Sequence, residues 1–271
     1  MLKWILLLVG MGLIYFWFKN KGRAAQVEKA KEKAKTSPPA IAEPEEIKPC
    51  RHCGVHLPKS EGVMQEDRFY CSRSHRDALD SGGWLGSALW RASPNCDARP
   101  QGAATDLVVL HHISLPPGQF RTQNSTQYIV DFFQNQLDSE AHPYFAEIGQ
   151  QRVSSHFLIA RSGRIIQFVS TRDRAWHAGE SQFGERTRCN DFAIGIELEG
   201  DGETAFEAAQ YQTLQILVTQ LMAQNSTLSF VGHSDIAPER KTDPGLQFDW
   251  VRFQKDNRLP LEQLPFGLAS R

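Results

Sequence analysis

The chain reads as an α/β (α+β) protein: a central mixed β-sheet flanked by helices, preceded by an N-terminal transmembrane helix and a small zinc knuckle. Three observations carry this reading. "DLVVLHHIS" and "DFAIGIELEG" are near-continuous apolar runs of the length and β-branched content expected of buried strands. "AFEAAQYQTLQILVTQLMAQN" sets Tyr211, Leu214, Leu217 and Leu221 at helical spacing on one face. After Trp84 such strand-like and helix-like segments alternate, which is the pattern of a sheet with helices on its faces.

The bulk properties fit one well-cored domain with appendages. The chain has 271 residues, 41% of them apolar and 23% charged, with a formal net charge of -1. That near-neutral balance gives no case for a nucleic-acid partner. No repeat of about 20–50 residues is visible, which argues against a solenoid.

Taken in order, residues 1–20 form the expected membrane anchor. From Trp4 to Phe18 the sequence is wholly apolar or aromatic apart from glycine. As a helix this run spans roughly 22 Å, short against a hydrocarbon core of about 30 Å, but Lys3 and Lys19 can snorkel to the interfaces. A cleaved signal peptide would want small residues where the chain has "YFWFK". Lys19, Lys21, Arg23, Lys29, Lys31, Lys33 and Lys35 follow the span, against Lys3 ahead of it. The positive-inside rule then places the bulk of the chain in the cytoplasm, tethered to the inner membrane by a single pass. Residues 21–48 are Ala, Lys, Glu and Pro with few large apolar side chains, as in a flexible linker.

Residues 49–80 carry four of the knuckle's features at once. Cys50-x2-Cys53 is followed after seventeen residues by Cys71-x3-His75. Two sulfurs on a tight turn and a second Cys/His pair at a helix start suit a closed, tetrahedral, structural zinc site. His52 and His56 are alternative fourth ligands. Five cysteines in all is an odd number, better suited to a reduced metal site than to a disulfide framework.

Residues 84–258 hold the main domain, and 259–271 a C-terminal tail. "DLVVLHHIS" is the first buried strand and "QYIVDFFQNQL" an amphipathic helix. "HFLIARSGRIIQFV" is a hairpin around Arg161–Arg164, "DFAIGIELEG" another strand, and "LSFVGH" a strand leading into "GHSDIAPERKTDPG". That last stretch carries His233, Lys241 and Asp243 on a Gly- and Pro-punctuated loop. His111 and His112 end the first strand, and since neighbouring strand residues face opposite sides only one can point into a given site. Glu197 and Glu199 share a face of the "GIELEG" strand, and Gly195 leaves room for a close approach. Histidine, aspartate and a nearby glutamate are what a hydrolytic zinc site needs: protein ligands, an open position and a proton acceptor.

From about Trp84 to Asn257 the chain resembles the AmpD-type 1,6-anhydro-N-acetylmuramoyl-L-alanine amidases of the zinc amidase and peptidoglycan-recognition superfamily. The matching runs include "SPNCDARP", "HHISLPPGQF", "AHPYFAEI", "RVSSHFLI", "RAWHAG", "RCNDFAIGIELEG" and "GHSDIAPERKTDPG". The resemblance implies zinc ligation by His111, His233 and Asp243, with Glu197 as the acid/base carboxylate and Lys241 as the oxyanion partner. It also implies that Tyr144 and His156 line the site, and that Arg152, Trp176 and Arg188 hold stem peptide and sugar. His112 stands where close relatives often carry Asn, so a second ring lies beside the metal ligand.

The implied reaction is hydrolysis of the amide between the lactyl group of anhydro-muramic acid and L-Ala, with an anhydro-muropeptide as substrate. Cys189 is expected to be a buried structural thiol and Glu199 a hydrogen-bond partner rather than the base. Two rivals are a periplasmic amidase acting on intact murein and a binding-only module. The full ligand set with Glu197 and Lys241 argues against the second.

Overall fold

The computed structural model describes residues 15–17, 19, 21, 45–122 and 124–269. The chain divides into two units, Met1–Glu46 and Ile47–Arg271. In the first, the described residues 15–17, 19 and 21 are helical. Most of the expected transmembrane segment 1–20 and of the expected linker 21–48 lies outside the described residues. Among those described, no helix is long and apolar enough to cross a membrane.

The second unit begins with four short strands, β1 (Ile47–Pro49), β2 (His56–Pro58), β3 (Val63–Gln65) and β4 (Arg68–Tyr70). They pair as two antiparallel hairpins, β1 with β2 and β3 with β4. A one-turn helix, α1 (Arg73–Arg76), follows, started by Ser72, whose hydroxyl accepts from the His75 amide. The turn Cys50–Gly54 carries Cys50 and Cys53, Cys71 lies between β4 and α1, and α1 carries His75.

The main sheet has six strands. In addition to β5 (Leu89–Trp90), β7 (Leu107–Ile113), β8 (Phe157–Ile159), β9 (Ile165–Gln167), β13 (Ala193–Glu199) and β14 (Ser229–Gly232), three short pairing segments lie outside it: β6 (Cys96–Ala98), β10 (Asp173–Ala175) and the β11–β12 hairpin (Gln182–Phe183, Arg186–Thr187). The order across the sheet is β14-β7-β13-β8-β9-β5. β14, β7, β13 and β8 run parallel, and β9 turns back antiparallel on β8, so the sheet is mixed. Both long central strands are buried from end to end, except for His112 and Ile113 at the tip of β7. Their apolar runs are continuous for that reason: each face is covered.

Helices α2 (Ser125–Phe133) and α3 (Pro143–Ile148) pack Ile129, Val130, Phe133, Phe145 and Ile148 against Leu158, Ile166 and Phe168. On the opposite face α4 (Ala208–Gln224) buries Tyr211, Leu214, Leu217, Val218 and Leu221 against Val108, Leu110, Ile194, Ile196 and Leu198. A reciprocal capping box between Glu207 and Gln210 starts α4. Each of these leucines contributes about 1.5–3 kcal/mol by leaving water. α5 (His233–Ile236) is a single turn at the end of β14, and α6 (Trp250–Asn257) adds Trp250 and Phe253 to the α4 side of the core.

The Cys/His segment packs onto this core rather than beside it. Arg68 is 8% exposed, donates to the Ala88 carbonyl at 2.7 Å and lies 3.9 Å from the centre of the Trp90 ring. Arg91 pairs with Glu66 at 3.0 Å.

Candidate active site

Strand register alone brings the main side chains together. β7, β13 and β14 are adjacent and parallel, so their C-terminal ends meet at one edge of the sheet, the usual position of sites in such sheets. Glu197 pairs with His111 across β13 and β7, and Gly232 pairs with Leu110 across β14 and β7. The residue after Gly232 is His233, which therefore emerges beside His111. Alternation along β7 puts His111 on the face of Leu107 and Val109, which pack with Ala178, Ala193 and Val231. It puts His112 on the other face.

His111 Nδ1 lies 2.8 Å and His233 Nδ1 3.0 Å from the same atom, Asp243 Oδ2. These three side chains form a group able to hold a metal ion, and all are nearly inaccessible to solvent. Burial lowers the His111 pKa to about 4, so its ring is neutral at ordinary pH. Burial works to raise the Asp243 carboxyl, but hydrogen bonds from His111 and His233 outweigh it and hold it well below the usual carboxylate range. Neutral imidazole and ionised carboxylate are the forms that ligate zinc, so the donor set fits that ion.

Glu197 is buried beside this group. Burial pushes its carboxyl well above the usual range, the Asp243 charge adds to that, and Lys241 opposes it. Its Oε2 has no hydrogen-bond partner among the described residues. A carboxyl raised in this way is suited to taking a proton and giving it back. Glu199, two residues on, is bound by Ser125 and Thr126 hydroxyls and the Arg161 amide, at 2.8, 2.9 and 3.0 Å. It anchors α2 to the sheet and is spent as a base.

A cleft of about 550 Å³ opens above these groups, lined by His111, Glu197, His233, Lys241 and Asp243, and walled by Tyr144 and Trp176. Lys241 and His112 also border a second depression, with Asp201 and Leu246. His112 is not in the metal-holding group. Trp176 Nε1 donates to Asp97 at 3.3 Å, which fixes the indole at the cleft wall.

The remaining expected substrate residues stand apart from this floor. Arg152 is exposed and its guanidinium donates to the Gly149 and Gln151 carbonyls, both at 3.3 Å. Arg188 is exposed, pairs with Asp191 at 3.4 Å, and lines a neighbouring depression with Arg240. The expectation that His156 lines the site is corrected. Its ring is fully buried beneath the sheet residues, with Nδ1 accepting from the Gly195 amide at 3.0 Å and Nε2 facing the Asp173 carbonyl at 3.1 Å. It holds β8 to β13 and has no atom left for a substrate. Cys189 is also fully buried, and burial raises its thiol.

Sequence reasoning passed over His177. Its Nδ1 lies 3.0 Å from His111 Nε2, and its ring stands edge-on to His111. The available signal was Gly195, where an added Cβ would fall 2.5 Å from His177 Cγ.

In the expected knuckle segment, Cys53 Sγ and Cys71 Sγ are 3.8 Å apart, Cys50 Sγ and His75 Nδ1 3.8 Å, and Cys71 Sγ and His75 Nδ1 3.0 Å. Zinc bonds of about 2.3 Å to sulfur set tetrahedral edges of about 3.8 Å, so these four atoms fit the ion. Burial works to raise the Cys50 thiol, but backbone amides near Cys71 and Cys53 and the His75 ring bring it down to about 6. His52 stacks on His75, ring centres 4.5 Å apart, and is not one of the four; His56 lies in β2.

The sequence profile of the N-acetylmuramoyl-L-alanine amidase family matches residues 101–246. A 1,6-anhydro-N-acetylmuramyl-L-alanine amidase, AmpD, of Haemophilus influenzae is 54% identical over 164 residues, covering 59% of this chain and 87% of the relative. The AmpD of Escherichia coli K12 is 49% identical over 178 residues, 64% of this chain and 93% of the relative. A crystal structure of a selenomethionine AmpD derivative superposes with a TM-score of 0.62 at 47% identity, covering 65% of this chain and 97% of that one.

Proposed function

We propose, for a chain that belongs to the N-acetylmuramoyl-L-alanine amidase family, that it hydrolyses the amide joining anhydro-N-acetylmuramic acid to the L-Ala of muropeptides during peptidoglycan recycling. The observation that carries the reading is the meeting of His111 Nδ1, His233 Nδ1 and Asp243 Oδ2 at the floor of a cleft that also presents Glu197 and Lys241.

His111, His233 and Asp243 would hold a zinc ion, which when bound would supply Lewis acidity toward the scissile carbonyl and the attacking water. Glu197 takes the proton of that water and delivers it to the nitrogen of the leaving L-Ala. Its carboxyl, buried in the cleft beside the ligand group, is placed for both transfers. The Lys241 ammonium stabilises the oxyanion as it develops, a contribution of about 3–4 kcal/mol for one well-placed donor. Tyr144 and Trp176 wall the cleft and orient the substrate. Arg152 and Arg188, exposed at its margins, are suited to stem-peptide carboxylates.

Cys50, Cys53, Cys71 and His75 would hold a second zinc with four protein ligands and no open position, which suits a structural role. The apolar run Trp4–Phe18 with the basic residues after it supports a single-pass anchor and a cytoplasmic catalytic unit.

Incubation of the protein with an anhydro-muropeptide and with intact sacculi, followed by mass spectrometry, tests the substrate. Release of free stem peptide from the soluble muropeptide, with little from sacculi, is expected. Efficient cleavage of sacculi alone would make it a wall-degrading amidase instead.

A further inference from the structure

We infer that His177 is a positioning residue for the metal centre: it fixes the tautomer of His111, and the strap Trp176–Ala178 on which it sits orients both metal-ligating histidines. This rests on the reading that His111, His233 and Asp243 hold zinc.

A metal-ligating histidine has two nitrogens, and the partner of the second decides which one is free to bind. With zinc held at its Nδ1, His111 would carry its hydrogen on Nε2. That hydrogen would point at His177 Nδ1, 3.0 Å away. His233 also directs Nδ1 to the cluster, and its Nε2 donates to the Ala178 carbonyl at 3.0 Å. Two adjacent residues of one strap thus accept from the far nitrogens of both rings. Trp176, the next residue back, forms the cleft wall.

The strap is itself pinned. Asn190 Oδ1 accepts from the amides of His177 at 3.1 Å and Ala178 at 2.8 Å. Gly195, in the buried centre of β13, leaves the space the His177 ring occupies; any Cβ there would collide with Cγ, Cδ2 and Nδ1.

The fold accepts a cost to keep this ring. For Nδ1 to accept, His177 must carry its own hydrogen on Nε2, and that atom is buried with no partner among the described residues. A buried donor left unmatched is unfavourable. A leucine would fill the same volume without that defect, so packing does not account for a histidine here.

The test compares His177→Leu, which keeps bulk and loses the acceptor, with His177→Asn, whose Oδ1 can stand in for Nδ1. Zinc affinity is read by chelator competition on the full chain with an intact knuckle, so that any change belongs to the histidine–aspartate set. The Leu variant should bind zinc at that set about 10–100-fold more weakly, and the Asn variant should recover most of the loss. Wild-type affinity in the Leu variant, or equal losses in both, would overturn the assignment. A measurement independent of any variant is long-range ¹H–¹⁵N correlation of the zinc-loaded wild-type imidazoles. Hydrogen on His111 Nε2 is expected, and hydrogen on Nδ1 would overturn the inference. A wild-type chain that takes up no zinc at this set would instead refute the metal-centre reading, and this inference with it.

Discussion

Arg68→Met tests whether the Cys/His knuckle is built into the catalytic unit. Methionine keeps the apolar stem and removes the guanidinium. The loss leaves the Ala88 carbonyl without its 2.7 Å donor, which costs about 1–3 kcal/mol for a buried acceptor. It also removes a cation held 3.9 Å over the Trp90 ring, worth about 1–2 kcal/mol when desolvated. The half-exposed Glu66 partner at 3.2 Å adds little. Relief of burying a charge, with Nη1 unpartnered among the described residues, offsets part of this. A net loss of about 2–3 kcal/mol follows, or a fall in Tm of roughly 4–10 °C for a unit of this size. Guanidinium denaturation followed by tryptophan emission reads it directly, because Trp90 reports the interface. One cooperative transition, shifted to lower denaturant with kcat unchanged, is expected. A shift under about 0.5 kcal/mol, or a separate early transition, would show that the knuckle stands apart from the sheet and would refute the reasoning.

Other outcomes follow from the site. Glu197→Ala should keep its zinc and lose about 10²–10⁴-fold in kcat; a loss under tenfold, measured on the muropeptide, would move the base elsewhere. Asp243→Ala should lose metal and activity together, partly restored by excess zinc, whereas Lys241→Ala should retain metal and drop kcat by about 10²–10³-fold with KM little changed. Metal loss in the Lys241 variant would remove its oxyanion role. The zinc-free protein should weaken on mild acidification. Burial and the nearby Arg99 charge hold the His156 pKa at about 3, while the unfolded chain takes that proton near 6.5. The unfolded state therefore binds more protons below about pH 6.5, and stability present at pH 7 falls by about 2 kcal/mol at pH 5 from this residue. His156→Asn should flatten that slope in denaturation curves at the two pH values; an unchanged slope would assign it to other groups.

Much of the sheet was legible because burial on both faces leaves a continuous apolar signature, as in Leu107–Leu110 and Ala193–Ile196. α4 was legible through Tyr211, Leu214, Leu217 and Leu221. The strands of the knuckle were not, since three residues are too few to show a period. His233 was read on a loop, whereas it begins the single helical turn α5, too short to leave a helical pattern. His156 was misplaced for a different reason. The family resemblance implied that it lines the site, and only its surroundings in the fold reveal that its nitrogens are used on the Gly195 amide and the Asp173 carbonyl. His177 was missed because it acts on another side chain 66 positions away, a relation that no local spacing records.

Hydrolysis in ¹⁸O-labelled water tests the central claim most directly. Anhydro-N-acetylmuramoyl tripeptide is converted by the zinc-loaded protein and the two products are weighed by mass spectrometry. Attack of water on the lactyl carbonyl should place one ¹⁸O in the carboxylate of the sugar product and none in the released peptide, whose new terminus is the amine of L-Ala. Label in a peptide carboxylate would mean that a different bond is cut, and an uncut substrate with a zinc-loaded centre would contradict the assignment of this cleft as an amidase site.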